Sequence, residues 1–117
     1  MLLSLLLLSC DPAEKARDLC RARRETLDEL YAAYGGADVA KGSGFVANAI
    51  GGADRATFES KCEEIGRGGK PTILTEKAKE FFGREDTVKA CQKVVDIETK
   101  VGVINRELAE SEKVSCE

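Results

Sequence analysis

Residues Ala13 to Tyr34 read AEKARDLCRARRETLDELYAAY. Apolar side chains recur at Ala16, Leu19, Cys20, Leu27, Leu30, Tyr31 and Tyr34. That spacing of three and four makes one apolar stripe on a helix of about six turns. Asp11-Pro12 stands just before it. Aspartate can accept from the free amides of a first turn, and proline is tolerated at the first helical position because that amide has no partner anyway. Gly35-Gly36 supplies the stop.

Working outward, the C-terminal half repeats the pattern. From Glu85 to about Glu110, apolar residues fall at Val88, Cys91, Val94, Val95, Ile97, Val101, Ile104 and Leu108. Val101 to Ile104 is rich enough in β-branched residues to compete as a strand, but the charges on the opposite face favour a helix. Between these long segments, Asp54 caps a helix through about Ile65 that carries Phe58, Cys62 and Ile65 on one side and stops at Gly66. Thr75 caps a short helix, Glu76 to Phe82, ended by Gly83. The expected fold class is all-α: a small antiparallel bundle of three main helices plus short ones, with the first and last as the main pair.

Gly35 to Gly52 holds six glycines in eighteen residues, with Val39, Phe45, Val46, Ala49 and Ile50 as its apolar members. Its simplest reading is a connector whose apolar residues tuck into the core. A functional reading makes Phe45, Val46 and Ile50 an apolar contact for a partner. The segment Gly66-Arg67-Gly68-Gly69-Lys70-Pro71-Thr72 invites comparison with a phosphate-binding G-x-x-x-x-G-K-[ST] loop. It does not fit: Glu64 stands where the first glycine belongs, Pro71 follows the lysine, and no strand precedes it. No nucleotide is expected.

The N-terminus is of another kind. Met1 to Ser9, MLLSLLLLS, has six leucines and no charged side chain. As a helix it reaches only about 14 Å, less than half of a bilayer core of about 30 Å, so it is too short to span and has the character of a signal-peptide apolar region. Leu7-Leu8-Ser9-Cys10 then resembles the lipobox of bacterial lipoproteins. The resemblance covers these ten residues alone. It implies cleavage between Ser9 and Cys10, a diacylglyceryl group on the Cys10 thiol and acylation of the new amino terminus. The expected organisation is a signal peptide over 1–9 and a single lipidated helical domain over 10–117, on a bacterial cell envelope and facing the periplasm. Asp11 after the cysteine resembles an inner-membrane retention signal of enteric bacteria, a rule that varies between groups, so inner and outer membrane both stay open. The family's leaders usually open with Lys or Arg. Here the only positive charge is the Met1 amino group, so either the start lies upstream or the leader is minimal.

Cysteine parity supports this reading. Five cysteines is an odd number for an exported chain. With Cys10 lipidated, Cys20, Cys62, Cys91 and Cys116 remain, an even set suited to two disulfides. Gaps of 42, 29 and 25 residues, no Cys-x-x-Cys and no histidine argue against zinc. Buried free thiols are the weaker alternative. Four cysteines allow three connectivities. An antiparallel first and last helix favours Cys20–Cys116 with Cys62–Cys91.

Charge narrows function further. All 39 charged side chains lie beyond Cys10, with a net charge of −3, whereas a nucleic-acid binder should be basic. Arg17, Arg21 and Arg24 share a helix face near the anchor and are candidates for lipid headgroup contact. Pairing within the helix, Arg21 with Glu25, Arg24 with Asp28 and Arg17 with Glu14, is the stronger expectation. Without histidine there is no imidazole catalysis, and no enzyme, metal or cofactor is expected. What remains is a non-enzymatic interaction module that binds another envelope protein, of assembly, inhibitor or immunity type. The alternative is a carrier of a small apolar ligand, which needs a pocket of several hundred Å³.

Overall fold

A computed structural model describes residues 11–36, 54–70 and 75–116. They form four α-helices: α1 Pro12–Tyr34, α2 Arg55–Gly66, α3 Glu76–Phe82 and α4 Glu85–Arg106, followed by a 3-10 turn, Glu110–Glu112. There is no strand among the described residues. Val101 to Ile104 is helical, and the all-α bundle with two disulfides is the observed fold.

Three of the four helices begin on the cap their sequence offers. The Ala13 N–H donates to Asp11 Oδ1 at 3.0 Å, the Thr57 N–H to Asp54 Oδ2 at 3.1 Å and the Ala78 N–H to Thr75 Oγ1 at 3.2 Å. At the start of α4, Asp86 Oδ1 accepts from its neighbour's Thr87 N–H at 3.0 Å, and its two oxygens bind Arg84 at 3.1 and 2.7 Å. That guanidinium holds the Asp86 carboxyl below the ordinary aspartate range.

Two helix ends differ from expectation. Gly66 does not stop α2 but is its last helical residue. The stop is Gly68, at φ 86°. Its N–H donates to the Ile65 carbonyl while that of Gly69 donates to Glu64, the double hydrogen bond of a Schellman ending. Gly66 serves another purpose: a Cβ there would collide with the Cys91 carbonyl and lie 2.6 Å from Val95 Cγ2, so α2 approaches α4 as closely as two backbones allow. α4 in turn ends at Arg106 rather than Glu110. The Asn105 side chain takes over, its Nδ2 donating to the Val114 carbonyl at 2.8 Å and its Oδ1 accepting from the Val114 N–H at 3.0 Å. This clamp folds the tail back along α4, and Leu108 leaves the helical stripe.

The chain divides into two compact units. The central unit spans Glu25–Val95. Its core comprises Leu27, Tyr34, Phe58, Cys62, Ile65, Ala78, Phe81, Phe82, Cys91 and Val94. Phe58 is fully buried, with its ring centroid 5.2 Å from Tyr31, 5.4 Å from Tyr34, 5.9 Å from Phe81 and 5.2 Å from Phe82. Five of the chain's six aromatic residues thus meet at one point, each pair contributing about 0.5–1.5 kcal/mol beyond burial. The Cys62–Cys91 bridge closes this core from α2 to α4 across 29 residues. Arg55 adds a polar tie, binding Asp28 at 2.7 Å and Glu59 at 3.0 Å with its guanidinium 5.4 Å from the Tyr31 ring centre.

The terminal unit takes the described residues of Met1–Arg24 and Asp96–Glu117. The first half of α1 therefore packs with the second half of α4, the order an antiparallel pair requires. Its core is small: Ala16, Ile97 and Val101 are buried, with Leu19, Cys20, Ala22, Ile104, Val114 and Cys116 packed around them. Arg23 Nε meets Glu98 Oε1 at 2.7 Å, the two side chains only 13% and 22% exposed. The Cys20–Cys116 bridge, spanning 96 residues, fastens the tail to α1. In the chain-entropy model the two bridges contribute about 3.5–5 kcal/mol each by constraining the unfolded chain.

Four outcomes follow from these contacts. Gly66→Ala should lower stability by about 1–3 kcal/mol, because overpacking outweighs the helix propensity gained. Gly102→Ala, in mid-helix with nothing within 4 Å of its Cβ, should raise it by about 0.5–1 kcal/mol. Urea unfolding of the two variants checks the opposite signs. Arg23→Ala removes the 2.7 Å contact to the mostly buried Glu98 and should cost about 1–3 kcal/mol, against less than about 1 kcal/mol for Lys89→Ala at the exposed Lys89–Glu85 pair. Asp86 titrated by NMR should show a depressed pKa that Arg84→Ala returns toward normal. Since folding depresses it, its stabilising effect is present above the ordinary aspartate pKa and fades as pH falls through the folded value.

Candidate functional site

The candidate lipidation residue, Cys10, lies outside the described residues, as do the candidate contact residues Phe45, Val46 and Ile50. The structure does describe what adjoins Cys10. Asp11 is already the cap of α1 and Pro12 its first residue, so a single residue separates that cysteine from the folded helix.

Arg17, Arg21 and Arg24 lie on α1 at spacings of four and three, all exposed. Arg17 stands about 9 Å along the helix axis from Asp11. The expected pairings within α1 do not form. Arg21 reaches back to Asp18 at 3.3 Å, with both side chains 60% exposed, and not forward to Glu25. Asp28 pairs with Arg55 of α2, and no ion pair joins it to Arg24 among the described residues. No ion pair joins Arg17 to Glu14 among the described residues. Arg23, the fourth arginine of this run, turns inward to Glu98. Glu14, Asp18, Glu25 and Asp28 are interleaved with the three exposed arginines. The face is therefore mixed in charge and not a basic stripe.

Two concavities stand out. In the central unit a groove of about 370 Å³ runs over Ile65, Phe82 and Val88, with Lys70, Lys79 and Gln92 at its polar side. Lys79 is loosely engaged by Glu76 at 3.6 Å. Phe82 belongs to the aromatic cluster, so the groove lies at the edge of that core, bordered by α2, α3 and α4. In the terminal unit a cleft of about 650 Å³ separates the start of α1, from Asp11 to Arg17, from Leu108, Ser111, Glu112, Lys113 and Val114 of the tail. It is lined by both signs of charge.

Among the described residues no cluster of three or more acidic or cysteine side chains is arranged to hold a metal ion. No described helix is long and apolar enough to cross a membrane. Arg55 has its pKa raised: burial alone would lower it, but the hydrogen bonds to Asp28 and Glu59 prevail. It is thus a fixed structural cation. The aromatic meeting point at Phe58 and the Arg23–Glu98 and Arg55–Asp28 ties escape sequence reasoning. The helical spacing of Tyr31 and Tyr34 and the adjacent Phe81-Phe82 are the signals that bear on the first of these. Ion pairs between helices leave no signal in spacing. In comparison with known proteins, the chain matches no family model, no curated protein and no solved structure.

Proposed function

We propose that this chain is a bacterial cell-envelope lipoprotein, anchored through lipid on Cys10, facing the periplasm and acting without catalysis as a module that binds another envelope protein. The observation that carries the reading is the use of cysteine. Two bridges take Cys20 with Cys116 and Cys62 with Cys91. Of the five cysteines this leaves Cys10 alone with no partner in the chain, directly after Leu7-Leu8-Ser9. An exported chain with an even bridged set and one odd cysteine at a lipobox is the pattern that lipidation accounts for. Two or three acyl chains give stable attachment where one gives only marginal binding. With one residue between lipid and helix, the start of α1 is held close to the membrane surface, and Arg17 is the first of the three arginines to meet headgroups.

Binding, and not turnover, is the activity that suits a chain with no histidine. Phe45, Val46 and Ile50, in the connector between α1 and α2, are the proposed contact with the partner. One observation favours a second reading, a carrier of a small apolar ligand. The central groove, about 370 Å³ with an apolar floor of Ile65, Phe82 and Val88, falls at the lower end of small-molecule sites.

The test is intact mass and fractionation of the protein from bacterial envelopes. The mature chain should begin at Cys10 and carry diacylglyceryl and acyl mass. Cys10→Ala should abolish that mass and move the protein out of the membrane fraction while leaving both disulfides formed. A membrane-derived form that retains Met1 to Ser9 with an unmodified Cys10 contradicts the anchor. For the binding role, crosslinking in envelopes should yield a discrete protein adduct that Phe45→Asp with Ile50→Asp removes. An adduct unchanged by that variant contradicts the proposed contact.

A further inference from the structure

The two disulfides are not equivalent. Cys62 and Cys91 are both fully buried inside the aromatic core of the central unit, at the place where the Gly66 backbone rests on the Cys91 carbonyl. Reaching either sulfur requires parting α2 from α4, which is loss of that core. Cys20 and Cys116 are both half-buried, at the margin of the terminal unit. The chain that carries Cys116 has left α4 at Arg106. Besides the bridge, its described holds on the terminal unit are the two Asn105–Val114 hydrogen bonds, the backbone bonds of Glu107 to Ile104 and of Leu108 to Asn105 at its root, and the apolar contact of Val114 and Cys116 with three buried residues. The Lys113–Glu110 pair lies within the tail itself and fastens it to nothing else.

From this asymmetry we infer that Cys20–Cys116 is a reducible clasp, one that opens in the native protein and releases residues 107–116 while Cys62–Cys91 stays closed. The chemistry is thiol–disulfide exchange with a dithiol reductant. One thiolate attacks a sulfur of the bridge, the S–S bond breaks, and the departing cysteine leaves as a thiolate that takes up a proton. The reductant's second thiolate then resolves the mixed disulfide. Two electrons pass to the protein, which ends with two thiols, and the reductant ends as a disulfide. Local opening of a thinly held tail needs less free energy than global unfolding, so access, which governs the rate, favours this bridge.

Opening has a defined consequence. Val114 and Cys116 withdraw from the cluster of Ala16, Ile97 and Val101 against which they pack. A small apolar face appears on α1 and α4 while the aromatic core of the central unit is untouched. The inference goes beyond the anchor reading and does not depend on lipid at Cys10.

The experiment is graded reduction of the full chain by dithiothreitol under native conditions, with rapid alkylation and peptide mass mapping, which also separates Cys10 from the others. Cys20 and Cys116 should be alkylated roughly tenfold or more ahead of Cys62 and Cys91. In the singly reduced protein, hydrogen exchange should rise over residues 107–116 and stay slow in α2 and in the first half of α4. Asn105→Ala, which removes the side-chain hold on Val114, should speed reduction of the same bridge severalfold. Simultaneous reduction of both bridges, prior reduction of Cys62–Cys91, a tail that stays protected, or loss of protection throughout α2 on opening the first bridge would each overturn the inference.

Discussion

The meeting of α2 with α4 governs this molecule. At Gly66 the two backbones touch with no side chain between them, and one turn earlier Cys62 is bonded to Cys91. That approach sets where α2 lies, and with it the position of Phe58, whose ring the other aromatics surround. A chain with only six aromatic residues has little apolar volume to spend on a core. Gathering five of them beside a covalent staple makes that volume count. α3, only seven residues long and too short to hold alone, persists because Ala78, Phe81 and Phe82 are buried in the same cluster.

The terminal unit solves the same problem with fewer means. Three buried residues form its core, so covalent and polar ties matter proportionately more: the Cys20–Cys116 bridge, the Arg23–Glu98 pair and the clamp of Asn105 on Val114. This is also the unit into which the N-terminal segment runs. A lipid anchor at Cys10 would place the membrane beside the less deeply cored part of the protein. The difference between the two units, in core size and in exposure of their bridges, is what gives the tail its distinct behaviour.

Much of this was legible in the sequence because it rests on local rules. Asp11-Pro12, Asp54 and Thr75 cap helices through contacts two or three residues away, which spacing reveals directly. The stripe on α4, from Cys91 through Val94 and Ile97 to Val101, is read from period alone. Where tertiary contacts decide, spacing misleads. Gly66 looks like a stop because glycine usually is one, yet it leaves room for another backbone, and the stop is two residues on. Asp28 looks like a partner for Arg24, but an arginine from another helix reaches it first. Leu108 fits the helical period, but Asn105 diverts the chain before that period is used. The proposed site residues Cys10, Phe45, Val46 and Ile50 fall outside the described residues, so their reading still rests on sequence, and only the neighbourhood of Cys10 gains from the structure.

Four of the five cysteines staple two units, and the fifth, Cys10, is the one we propose to anchor the chain. A non-reducing peptide map of the protein taken from bacterial membranes addresses it in one measurement. The account predicts linked peptides for Cys20 with Cys116 and for Cys62 with Cys91, and a lipid-bearing N-terminal peptide whose Cys10 is neither linked nor open to alkylation. Any other pairing among the four, or Cys10 recovered in a disulfide or as a free thiol, would contradict it.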